Sequence, residues 1–86
     1  MLVLPDQFDF DEFQEVDSST IAAVGTKNDW LIIFFNKGTS YRYHGCAIYF
    51  SALSMSDSVG KAFHSQIKNQ SFEKLDAGDW PPDEEW

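Results

Sequence analysis

A chain of 86 residues that is 43% hydrophobic, with eight Phe, three Trp and three Tyr, has apolar bulk for one small domain; whole-chain disorder is excluded and a second domain has no room. Its formal net charge of −8 opposes direct binding to phosphate backbones, which are bound by neutralising them with Lys and Arg. With Cys46 as its only cysteine it cannot form an internal disulfide, and no Cys/His spacing resembles a zinc module, so a reducing, cytoplasmic compartment is expected and no cofactor or metal.

In chain order, Met1-Leu-Val-Leu-Pro turns acidic at Asp6 without the pattern of a secretion signal, so none is expected. The Phe8–Val16 stretch fits strand and helix templates only in part, and a short helix or an extended arm is expected. Ile21–Val24 reads as a strand ended by Gly25, and Lys27-Asn28-Asp29 as a turn. Trp30–Phe35 is apolar on both faces and so predicts a central strand, the longest apolar run and far too short to span a bilayer. Asn36-Lys37-Gly38 turns the chain into Thr39–His44, completing a three-stranded antiparallel meander. Ile48, Tyr49, Ala52, Leu53 and Met55 have helical spacing, as do Val59, Ala62, Phe63, Ile67 and Phe72, which are expected core positions of a second helix. Pro81-Pro82 prevents a helix near the end, where an extended tail is expected.

Charge is segregated along this layout. Residues 1–17 hold six acids (Asp6, Asp9, Asp11, Glu12, Glu15, Asp17) and residues 76–86 five more (Asp76, Asp79, Asp83, Glu84, Glu85), with no Lys or Arg in either. The body, residues 18–75, is mildly basic. Both ends interleave acids with large aromatics, among them Phe8, Phe10, Phe13, Trp80 and Trp86.

The residues that could carry chemistry are few. His44 and Cys46 share a strand face in spacing, but no third group or oxyanion site accompanies them. A metal site of His44, Cys46, His64 and a carboxylate lacks the paired spacing of structural zinc, and the glycines are too dispersed to cradle phosphate. No catalysis is expected. Tyr41-Arg42-Tyr43 is the candidate for stacking unpaired bases, its bland counterpart being half-buried sheet packing.

The stretch from about Val16 to Phe72 carries Val16-Asp17-Ser18-Ser19 with Ile21 and Gly25, then Leu31, Phe35, Gly38 and Tyr41-Arg42-Tyr43, then Ser58, Gly60, Phe63 and Ile67. In these residues it resembles the KTSC domain, a small module found on some lysyl-tRNA synthetases and alone in bacteria and phages. The resemblance implies a meander followed by helices, and RNA binding through Tyr41, Arg42 and Tyr43. Thr26, Cys46-Ala47 and a stretch one residue short before Ser58 depart from the pattern, and the acidic ends lie outside it.

The expectation is an α+β fold of three antiparallel strands and two helices at residues 18–75, with acidic extensions at 1–17 and 76–86. Its expected role is to cover the basic nucleic-acid-binding surface of a partner protein, through Asp6, Asp9, Asp11, Glu12 and Glu15 and through Asp79, Trp80, Asp83, Glu84, Glu85 and Trp86. The concrete form is a phage-encoded counter-defence inhibitor that mimics nucleic acid before a CRISPR effector. The alternative is an RNA-binding module using the Tyr41-Arg42-Tyr43 face.

Overall fold

The computed structural model describes residues 8–67, 69–75 and 80–86. The fold is α+β, an antiparallel sheet with two helices. Among the described residues the sheet has five strands where the sequence predicts three: β1 (Glu12–Glu15), β2 (Ile21–Lys27), β3 (Trp30–Phe35), β4 (Ser40–His44) and β5 (Glu73–Leu75), side by side in chain order. The expected meander is the middle of this sheet. The helices α1 (Phe50–Ser54) and α2 (Val59–Gln66) lie between β4 and β5 in the chain.

Local chemistry explains the turns. Lys27 pairs with Trp30 across a two-residue loop in which Asn28 takes a left-handed φ of 54°, a conformation that Asn tolerates better than most residues. At the next turn Gly38 has φ 98°, and the Phe35 N–H donates to the Thr39 carbonyl at 2.9 Å. β2 does not stop at Gly25. Phe10 lies so close over that residue that an added Cβ would sit 2.9 Å from its Cδ1, and glycine lets the strand pass beneath the ring and run on to Lys27.

Strand alternation sends β3 side chains to two separate cores. Leu31 and Ile33 join Ile21, Val24 and Tyr43 under Phe50, Leu53, Val59, Phe63 and Ile67 of the helical layer. Ile32 and Phe34 face the other way, with Ala23 and Leu75, and are covered by Phe8, Phe10, Phe13, Trp80 and Trp86. β3 is thus buried on both faces, as its unbroken apolar run predicts. The second core explains the strand count: Phe13 of β1 and Leu75 of β5 reach the apolar face of the meander, and each carries its backbone into the sheet.

The first helical run differs from its expected form. It opens as a 3₁₀ turn, Ala47–Tyr49, and only then becomes α1. The stripe turned inward is Tyr49, Phe50 and Leu53, which leaves Ile48 and Met55 81% and 83% exposed. Phe72, expected on the second helix, lies beyond the end of α2 and is exposed, its ring resting against Tyr41 and Tyr43. No helix among the described residues is long and apolar enough to cross a membrane.

Candidate functional site

The two acidic ends meet on one side of the sheet, and their aromatic and acidic residues part company there. Phe8 lies 4.8 Å from Trp80 and 5.1 Å from Trp86, ring to ring, and Trp80 stacks on Phe34 at 5.8 Å. Phe10 and Phe13 pack edgewise on Phe34 as well. Trp80 and Trp86, expected to anchor a partner, are half-buried within this second core. The sequence carries no signal for that, because their contacts with Phe8, Trp30 and Phe34 reach across more than forty positions.

The carboxylates interleaved with these rings point outward. Asp9, Asp11, Glu12, Glu15 and Asp17 are exposed along β1 and its flanks, and Glu84 and Glu85 are exposed in the 3₁₀ turn Asp83–Glu85. Asp6 and Asp79 lie outside the described residues. Asp11 also holds the fold together locally, since its Oδ2 accepts the Asn28 N–H at 2.6 Å and ties the chain before β1 to the β2–β3 turn. Lys27 Nζ donates to the Asp9 carbonyl at 3.0 Å and lies 5.4 Å from the Phe8 ring centre. Among the described residues Glu12, Glu15 and Asp17 make no ion pair.

Arg42 is the best-built polar feature, and sequence reasoning placed it elsewhere. Because side chains alternate along β4, Tyr41 and Tyr43 face the helical core while Arg42 faces the second core; the three do not form one surface. Arg42 is only 5% exposed. Its guanidinium lies 3.9 Å from the Trp30 ring centre and 4.6 Å from that of Trp86, a cation against two indoles set at 76° to each other. Nη2 and Nε donate to Glu73 Oε1 at 2.7 and 3.1 Å, and Nη1 to the Glu85 carbonyl at 2.9 Å. Asn28 Nδ2 donates to the Trp86 carbonyl at 3.0 Å. Tyr-x-Tyr on a strand already implies that the intervening Arg lies opposite. Its partners Trp30, Glu73 and Trp86 are unreadable from spacing.

Tyr43 is 3% exposed, and burial, reinforced by Tyr41 and Cys46 nearby, pushes its hydroxyl from 10.0 up to about 12. Tyr41 packs between Phe35 (5.4 Å) and Phe72 (4.9 Å). Cys46 is buried and donates its thiol to the main-chain carbonyl of His44 at 3.6 Å, whereas the His44 ring lies against Trp30 at 4.6 Å. Burial raises the Cys46 thiol, the reverse of what activates a nucleophile. Asp17, Ser18, Asp57, Lys61 and His64 border an open polar cleft of about 430 Å³ beside the start of α2. The Ser18 hydroxyl there accepts the Thr20 and Ile21 N–H groups at 3.2 and 3.3 Å. Among the described residues no three His, Cys, Asp or Glu side chains converge as metal ligands would.

The chain matches no family model, and no curated protein matches it.

Proposed function

We propose that this protein binds a basic, nucleic-acid-binding surface of a partner protein and covers it, with the acids on and beside β1 as the contact. One observation supports this reading above the others: the aromatics of the acidic ends are spent on the fold, while Glu12, Glu15 and Asp17 stand exposed and unpaired among the described residues. Glu12 and Glu15 project from opposite faces of β1, so that negative charge borders the strand on both sides. The KTSC-like stretch from about Val16 to Phe72 is then the scaffold that displays these carboxylates. A phage-encoded counter-defence inhibitor acting on a CRISPR effector is the setting that this chemistry suits. Nothing in the geometry favours base stacking on Tyr41-Arg42-Tyr43, since Arg42 and Tyr43 are buried in opposite cores.

The test is kinetic. The chain and its E12Q/E15Q variant are used as bait, and association with the captured partner is timed at low and high salt. The wild type should associate more slowly as salt rises, because attraction between opposite charges is screened over about 10 Å at 0.1 M. The variant should be slower at low salt and less sensitive to it, and the partner's own nucleic acid should displace both. Equal rates for the two chains at every salt concentration would refute the reading.

A further inference from the structure

β1 is an edge strand, paired with β2 on one side and with no other strand among the described residues. Its hydrogen bonding determines what the free side offers. The Val16 N–H donates to the Ala22 carbonyl at 3.0 Å, and the register sets Gln14 opposite Val24 and Glu12 opposite Thr26. In an antiparallel ladder the residues between these turn their main-chain groups away from the partner. Phe13 and Glu15 therefore point theirs outward. Gln14 Nε2 donates to the Glu15 carbonyl at 2.8 Å and fills one outward acceptor. Among the described residues the N–H and carbonyl of Phe13 and the N–H of Glu15 have no main-chain partner, and they form a short template for another strand. Phe13 holds the template in place, its ring 5.0 Å from Phe10 and 5.7 Å from Phe34.

Charge selects the occupant. By strand alternation Glu12 projects toward the helical side with Val16, and Glu15 toward the side that Phe13 occupies, so a carboxylate flanks the edge on each face. A second copy would bring the same carboxylates and be repelled. A strand with Lys or Arg on both faces would instead meet an opposite charge on each. We propose that the β1 edge takes up an extended basic segment of the partner protein as an added strand, through main-chain bonds at Phe13 and Glu15 and ion pairs at Glu12 and Glu15. This rests on the acidic end facing the partner, and adds to it recognition of backbone.

The probe is a short peptide repeating Val-Arg-Arg, which sets Arg on both faces when extended, titrated into the full isotope-labelled chain while amide exchange is followed. The Phe13 and Glu15 amides should become protected. The same peptide N-methylated at its edge-facing amides keeps its charge but loses its donors, and should bind about tenfold more weakly or worse. E12Q/E15Q should weaken the unmodified peptide about three- to tenfold. Equal binding of both peptides would overturn strand addition yet leave a charge contact, and with it the acidic-end reading, standing. Protection that E12Q/E15Q does not weaken would overturn the charge selection and count against that reading too. Absence of binding, or protection of Phe13 that appears without peptide and grows with protein concentration, would also overturn the proposal, the latter by making a second copy the occupant.

Discussion

Arg42 shows how one side chain can tie several elements together. It joins β4, β5 through Glu73, β3 through Trp30 and the C-terminal segment through Trp86 and the Glu85 carbonyl. Two forces compete there, the ion pair and the contact with the two indoles. The Glu73 side chain is 60% exposed, so water screens the pair and Glu73→Gln should cost about 1 kcal/mol or less. Arg42→Lys keeps the charge but loses the planar fork and the guanidinium's contact with the indoles, and should cost about 1–3 kcal/mol in urea denaturation. The reverse order would make the ion pair the stronger force. Tyr43 carries a pH dependence of fixed sign. Its folded value of about 12 lies above the ordinary 10.0, so the folded state holds the proton that the unfolded chain releases first. Its contribution is complete below pH 10 and is lost as pH rises toward about 12. Tyr43→Phe should flatten the alkaline fall of the melting temperature relative to wild type, and an unchanged slope would show that other groups set it.

At the scale of elements, the join between β1 and β2 is the tightest fit described. An added Cβ on Gly25 would stand 2.9 Å from Phe10 Cδ1 and 3.3 Å from the Glu12 carbonyl oxygen. The ring can pivot, but the carbonyl is main chain. Gly25→Ala should therefore cost about 1–3 kcal/mol and speed amide exchange at Asp11 and Val16, leaving the Ile67 amide at the end of α2 slow. Equal acceleration at Ile67 would mean that the two sides of the sheet respond together. β1 and β5 were also the elements least legible in the sequence. β3 announces itself as six apolar residues, and its turns by Asn28 and Gly38. Glu12–Glu15 offers one inward ring among polar residues, and Glu73–Leu75 one buried side chain, patterns too short to separate a strand from a loop. The acids of the candidate site were readable as charge. The inward turn of Trp80 and Trp86 was not, because it depends on the apolar face that Phe34 and Ile32 present once the meander has formed.

For the molecule as a whole, the sheet acts as a wall between two rooms of different make-up. The helical side holds mostly aliphatic residues with Phe50, Phe63 and Tyr43, and no tryptophan. All three tryptophans gather on the other side, Trp86 lying 5.9 Å from both Trp30 and Trp80. Tryptophan fluorescence therefore watches only one half of the protein, whereas far-ultraviolet ellipticity draws its helical signal from the other. Since β3 contributes Leu31 and Ile33 to one side and Ile32 and Phe34 to the other, loss of either packing should withdraw support from its neighbour. The two optical signals should fall at the same urea concentration, as they do in a two-state transition. A fluorescence change that precedes the loss of ellipticity would instead reveal an aromatic side that opens while the helices stay docked.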